Sequence, residues 1–250
     1  MVSDRSAEEQ AADDRDEAFE MAEDLFLDVA TEDLGLGQLE QARQERVSGF
    51  VSVFVGGREI VFLDVPEREW YAPYVRSVAE QGIISGYRDG QGVPTGIFGP
   101  ERSVSREELA KIAVLMRGMD PSSCPSSPKN LTASGSWSQS YVSCAEQAEF
   151  AVFSDGSADV KAPATRSEVV ATILDAMKAE PIQVTGSGFT DVPASILFAG
   201  SIERAKQDGV ISGYADSQGV PIGLFGPSDP VKRAELAKIV SIALQIYIKK

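Results

Sequence analysis

The stretch Gln-Gly-Val-Pro-Thr-Gly-Ile-Phe-Gly-Pro, residues 91–100, decides the fold of this chain, because it occurs twice. The second copy, Gln-Gly-Val-Pro-Ile-Gly-Leu-Phe-Gly-Pro, covers residues 218–227. The similarity extends outward without a gap, and 26 of the 56 positions in residues 62–117 are identical to their counterparts in residues 189–244. Such a repeat indicates one structural unit that is built more than once and whose copies share a core.

A third and weaker copy lies between the two strong ones. Trp137 matches Trp70 in its surroundings, and the run Thr165–Glu168 matches the run Ser105–Glu108. The middle copy is shorter between these anchors, because it lacks most of the glycine-rich loop. The segment 121–135 is rich in Ser and Pro and predicts a linker. The repeats are therefore expected at residues 62–120, 136–180 and 188–246.

Each repeat has the pattern of a helix, a loop and a second helix, so the fold class is mainly α. Gly82 follows the first helix, as glycine commonly does at a helix C-terminus. The second helix is expected to begin at Ser105, since Ser105 and Glu108 have the spacing of a capping box. Leu109 and Ile112 then share one apolar face of this helix. One helix pair is too small to bury that face, so the second helices of the three repeats are predicted to pack together.

Two further segments precede the repeats. Residues 1–46 are predicted to be an acidic helical segment, since residues 1–45 contain 15 Asp or Glu and only three Arg. Residues 47–63 are predicted to form a short β-hairpin with its turn at Gly56 and Gly57. The formal net charge of −15 argues against nucleic acid and anionic lipid as partners, because both need a basic surface.

The composition also restricts the chemistry. The chain contains no histidine, which excludes Ser-His-Asp and Cys-His catalysis and every histidine metal site. Nothing in the sequence selects a pair of carboxylates for glycoside hydrolysis, so a wall-glycan hydrolase is the least favoured alternative. We therefore predict a protein that is not an enzyme and has no metal and no cofactor. No apolar run reaches the roughly 18 residues of a membrane-spanning helix, and residues 1–20 lack a signal-peptide pattern.

The two cysteines leave two interpretations open. Cys124 and Cys144 lie across a Ser/Pro-rich loop from each other. A disulfide between them would indicate an oxidising compartment outside the cytoplasm, whereas two free thiols would leave the same sequence.

The repeated motifs resemble those of the S-layer homology domain: a Phe-x-Asp-Val start, a Trp/Tyr helix, Gly-Ile-Ile-Ser-Gly-Tyr, and Ser-Arg-Glu-Glu or Lys-Arg-Ala-Glu at a helix start. The resemblance covers residues 62–246. It implies a pseudo-threefold, prong-like arrangement of three repeats around a central helix bundle. It also implies an exported protein of the cell surface or cell envelope that binds a cell-wall-linked polysaccharide non-covalently, with other surface-layer proteins as further partners.

The resemblance implies ligand grooves between neighbouring repeats, with one arginine of the helix-start motif in each. An arginine fork binds a carboxylate through two hydrogen bonds, and free amides at a helix start also favour an anion. An indole can lie flat against a sugar ring, and glycines allow the backbone to approach a ligand. The expected glycan-binding residues are Arg106, Arg166, Arg233, Trp70, Trp137, Gly86, Tyr87, Gly213, Tyr214, Ser105 and Thr165.

Each of these residues also has a structural interpretation. The arginines can form local salt bridges with Glu107 or Glu108, and the tryptophans can belong to the core between repeats. The alternative function is a protein–protein assembly scaffold of the cell surface, in which the repeats serve packing and the acidic segment contacts a partner.

Overall fold

A computed structural model of the chain describes residues 48–184 and 188–248, so the predicted acidic helical segment lies outside the described residues. The described part is mainly helical, with one two-stranded sheet. None of its helices is long and apolar enough to cross a membrane. The elements are β1 Phe50–Val55, β2 Arg58–Pro66, α1 Ala72–Glu80, α2 Arg106–Met116, α3 Gln139–Gln147, α4 Arg166–Ala176, α5 Ala199–Gln207 and α6 Arg233–Tyr247.

One compact unit consists of residues 48–69 together with the loop 86–98. Strands β1 and β2 form an antiparallel hairpin, and its turn glycines Gly56 and Gly57 have φ values of +60° and +78°. Two positive φ values are typical of the tight turns that match the twist of a hairpin. Strand β2 ends at Pro66, beyond the predicted end at residue 63, and the Leu63 amide donates a hydrogen bond to the Gly96 carbonyl of the loop.

The second unit consists of residues 70–85 and 99–248 and contains all six described α-helices. Helix α4 packs against both α2 and α6, as their apolar faces predict. The first helix of each predicted repeat packs on the second helix of a different one: α1 on α6, α3 on α2, and α5 on α4. The repeats therefore exchange contacts in a cycle, and each helix pair depends on its neighbour for its core.

The segments just before α2, α4 and α6 are joined by a closed ring of backbone hydrogen bonds. The amide of Val104 donates to the carbonyl of Val231 at 2.9 Å. The amide of Val231 donates to Ala164 at 3.2 Å, and that of Ala164 donates back to Val104 at 2.8 Å. All three residues are buried, where an unpaired amide or carbonyl is costly. The ring fixes the starting points of the three second helices relative to one another.

The segment predicted to be a linker, residues 121–135, is fixed at several points. Cys124 forms a disulfide with the fully buried Cys144 of α3. The buried carboxylate of Glu146 accepts hydrogen bonds from the amides of Lys129 and Asn130 at 2.7 and 2.9 Å. Composition alone marked this segment as connecting chain, whereas these contacts hold it against α3.

Thr172 occupies the core position that Ile112 and Ile239 fill in the other repeats. Its side chain is fully buried, and its hydroxyl has no hydrogen-bond partner among the described residues. Burying a hydroxyl without a partner costs about 1–3 kcal/mol. We expect Thr172→Val, which keeps the shape and removes the hydroxyl, to raise the free energy of unfolding by about 1 kcal/mol.

Urea denaturation of the purified chain measures this change. Thr165→Val is the matched control, because the Thr165 hydroxyl caps α4 and its loss should lower the stability by about 1 kcal/mol. A Thr172→Val variant less stable than the wild type would contradict the prediction.

Candidate functional site

The three predicted arginines lie at the first position of α2, α4 and α6, and each one reaches a glutamate of another repeat. The Nε and Nη2 atoms of Arg106 donate to the Glu168 carboxylate at 2.9–3.0 Å. Nη1 of Arg233 donates to Glu108 at 3.0 Å. The third arginine forms an ion pair of 3.5 Å with Glu235. The pairs Arg106–Glu168, Arg166–Glu235 and Arg233–Glu108 thus connect the repeats in a cycle.

These ion pairs correct the structural interpretation of the arginines, which was a local salt bridge. The partner is the capping-box glutamate of another repeat and not the glutamate beside the arginine. The side chains of Arg166 and Arg233 are only 8% and 5% exposed, and both also donate to carbonyls. Arg166 Nε donates to Phe225 at 2.8 Å, and Arg233 Nη2 donates to Ser85 at 3.0 Å.

The expected free amides at the starts of α2 and α4 are not present. The Arg106 and Glu107 amides donate to the carbonyls of residues 162 and 160, and the Glu108 amide donates to the Ser105 hydroxyl. Helix α4 repeats this arrangement, with its third amide bound by the Thr165 hydroxyl. The prediction that unpaired amides at these helix starts attract an anion is therefore wrong, since these amides already donate hydrogen bonds to other groups of the chain.

The hydroxyls of Ser105 and Thr165 complete the two capping boxes that their spacing predicts. Helix α6 has only half of such a box. The Lys232 amide donates to Glu235 at 3.0 Å, but an ammonium group has no lone pair with which to accept the return bond. The Lys232 ammonium instead forms an ion pair with Glu101.

A groove with a volume of about 200 Å³ brings together predicted site residues from all three predicted repeats. Its lining includes Trp70 from the first repeat, Arg166 from the second, and Gly213 and Tyr214 from the third. The indole of Trp70 is 54% exposed, so its ring is available to a ligand. The Arg166 guanidinium lies 4.7 Å from the centre of the Tyr214 ring, which holds both groups in place by a cation–π contact.

Tyr214 lines this groove, and its hydroxyl is in the protonated form. Burial, and then a 2.8 Å hydrogen bond from its hydroxyl to Asp229, raise the pKa of Tyr214 to about 12. The hydroxyl therefore stays protonated at neutral pH. The neighbouring Gly213 has a φ of +75°, and a Cβ there would lie 2.5 Å from both the Leu224 carbonyl oxygen and the Phe189 ring. Glycine at this position is required by packing within the repeat.

Gly86 and Tyr87 lie in the other unit, with the hairpin. A Cβ on Gly86 would lie 2.6 Å from the Ile97 carbonyl oxygen and 2.7 Å from the Phe62 ring. The Tyr87 amide donates to the same Ile97 carbonyl at 2.8 Å. The Gly-Tyr pair therefore has the same packing role in both strong repeats.

The aspartates of the Phe-x-Asp-Val motifs hold the loops in place. Asp191 accepts hydrogen bonds from the amides of Phe225 and Gly226, and Asp64 accepts one from Phe98 at 2.9 Å. Burial acts to raise the pKa of Asp191, but the bonds from Gly226 and Phe225 outweigh it and leave that pKa lowered. Among the described residues, no group of three or more Cys, Asp or Glu side chains could hold a metal ion.

Two lysines that were not predicted as site residues each lie beside one of the predicted tryptophans. The Lys238 ammonium lies 5.7 Å from the Trp70 ring centre and 6.0 Å from that of Tyr74. The Lys111 ammonium lies 5.8 Å from Trp137 and 5.9 Å from Tyr141. The signal was present in the sequence, because the two lysines occupy matching positions of the two strong repeats.

The two strong repeats match a known family. The family model of the S-layer homology domain covers residues 61–110 and 188–237. Two segments of the chain are thus similar to the S-layer homology domain. The resemblance in the motifs is thereby confirmed for both strong copies.

Two curated relatives from Acetivibrio thermocellus share this similarity. A cellulosome-anchoring protein is 27% identical over 145 residues, which is 54% of this chain and 30% of that protein. Cell surface glycoprotein 1 is 28% identical over 168 residues, which is 62% of this chain and 7% of that protein. This chain thus corresponds to less than a third of either relative.

Proposed function

We propose that this chain is a non-catalytic anchoring module of the cell surface that binds a cell-wall-linked, acidic polysaccharide non-covalently. The observation that carries the proposal is the groove that unites Trp70, Arg166 and Tyr214 from three repeats. It combines an exposed indole with cationic side chains, which suits a sugar ring that bears an acidic group. The S-layer homology domains and the names of the two relatives support an anchoring role.

The proposal includes the middle segment as a third repeat. Residues 136–180 supply the helix pair α3 and α4 and a complete capping box, and their contacts complete the cycles of hydrogen bonds and ion pairs. These cycles support the pseudo-threefold arrangement around a central bundle. In this arrangement the arginines connect adjacent repeats, and ligand contact by Ser105, Thr165, Gly86 and Tyr87 stays a prediction.

Co-sedimentation with purified cell-wall sacculi tests the function. We expect the chain to sediment with intact sacculi and to stay in solution after the wall polysaccharide has been stripped chemically. Equal binding to both preparations would indicate that the ligand is peptidoglycan. Binding to neither would favour the protein–protein assembly scaffold.

A further inference from the structure

We propose that Lys238, and Lys111 at the equivalent place, supply the positive charge that meets the acidic group of the ligand, each beside its own tryptophan. This inference rests on the proposed function and changes the roles within it. The three arginines then hold the repeats together, and the lysines with their aromatic neighbours form the contact surface.

The first argument is the engagement of the arginines. Arg166, the arginine of the groove, donates through Nε to the Phe225 carbonyl and pairs through Nη1 with Glu235. Its face also covers the Tyr214 ring, and only 8% of the side chain is exposed. An anion approaching Arg166 would compete with a carboxylate that is already in place, so little of its charge is left for a ligand.

The second argument is the state of Lys238, which lines the same groove. Within the described residues its ammonium forms no ion pair, and it lies beside the rings of Trp70 and Tyr74. Lys238 is half-buried, and its ammonium beside an exposed indole can donate hydrogen bonds to an acidic group while the sugar ring lies on the indole. The two contacts are close enough to serve one sugar residue.

The third argument is that the lysine, the tryptophan and the tyrosine of each cluster are either all present or all replaced. In the described structure the distances from ammonium to ring centre are nearly equal in the two clusters, 5.7 and 6.0 Å against 5.8 and 5.9 Å. Helix α5 packs on α4 in the same way as α1 packs on α6. At the contact between α5 and α4, however, the tryptophan, the tyrosine and the lysine of the cluster are all replaced. The replacements are Leu197 for tryptophan, Ser201 for tyrosine and Ala171 for lysine. Two positions on the molecule therefore carry the contact surface and the third does not.

The chain offers a selective probe, because it contains only two tryptophans and both belong to these clusters. The experiment titrates the soluble polysaccharide released from the sacculi into the full chain and follows tryptophan emission. In a Trp137→Phe background, the signal comes from Trp70 alone. We expect Lys238→Gln to weaken binding at Trp70 about tenfold or more, which is about 1.4 kcal/mol, and to reduce its dependence on salt.

Lys178→Gln is the matched control, because it removes the same charge from an exposed lysine outside both clusters. Sedimentation of the wild type with sacculi, combined with unchanged affinity of Lys238→Gln or an unresponsive Trp70, would overturn this inference and leave the anchoring function intact. Failure of the wild type to sediment would overturn both. Equal losses in Lys238→Gln and Lys178→Gln would also overturn it, since they would indicate a general effect of charge.

Discussion

Replacing Arg233 by methionine is expected to lower the free energy of unfolding by about 3 kcal/mol, because it breaks a buried ion pair and leaves one partner behind. The Arg233 side chain is 5% exposed and that of Glu108 is 19% exposed. The substitution would leave the Glu108 carboxylate without its cation and the Ser85 carbonyl without its donor. Chemical denaturation followed by circular dichroism measures the change.

Two further variants separate the ion pair from a general effect of charge. Arg68→Met removes an arginine that is 86% exposed, and it should change the stability by less than about 0.5 kcal/mol. Adding Glu108→Gln to Arg233→Met should restore part of the loss, because glutamine removes the uncompensated charge and keeps the capping box. An Arg233→Met variant as stable as the wild type would show that the ion pair does not hold the repeats together.

Loss of the disulfide is the second change with a large expected effect. The bond between Cys124 and Cys144 closes a loop with a sequence separation of 20 residues, which corresponds to about 3 kcal/mol of stability in the chain-entropy account. The Cys124→Ala/Cys144→Ala variant should unfold at a correspondingly lower urea concentration. The segment 125–131 should also become more sensitive to protease.

Reduction provides the internal control for this prediction. A reducing agent should shift the unfolding midpoint of the wild type to that of the double variant and should leave the double variant unchanged. A wild-type midpoint that does not respond to the reducing agent would contradict the prediction. The disulfide fits the proposed location at the cell surface, where thiols are oxidised.

Local features of the fold could be predicted from the sequence. The hairpin turn at Gly56 and Gly57 and the capping boxes begun by Ser105 and Thr165 depend on residues close together in the chain, so their patterns were sufficient. The arginine partners could not be predicted in this way. Glu168 is 62 residues from Arg106, and Glu108 is 125 residues from Arg233, so only the packing of the repeats selects them.

The candidate site likewise combines residues that the sequence could predict with one that only the packing of the helices reveals. The resemblance selected Trp70, Arg166 and Tyr214, and the structure places all three at one groove. Lys238 was overlooked because it lies inside a helix, beyond the motif arginine, where a lysine ordinarily indicates a solvated face. Its contact with Trp70 follows from the packing of α1 on α6, which joins the first repeat to the third.

The closed ring of hydrogen bonds through Val104, Ala164 and Val231 also limits how such a protein can change in copy number. An open stack of repeats can gain or lose a unit at either end, since each unit contacts only its neighbours. A closed cycle has no end unit, so removing one copy leaves an unmatched donor on one side and an unmatched acceptor on the other. This accounts for a middle copy that keeps its helix pair although it has lost most of its loop. In the arrangement proposed above, this copy is the third member of a closed set.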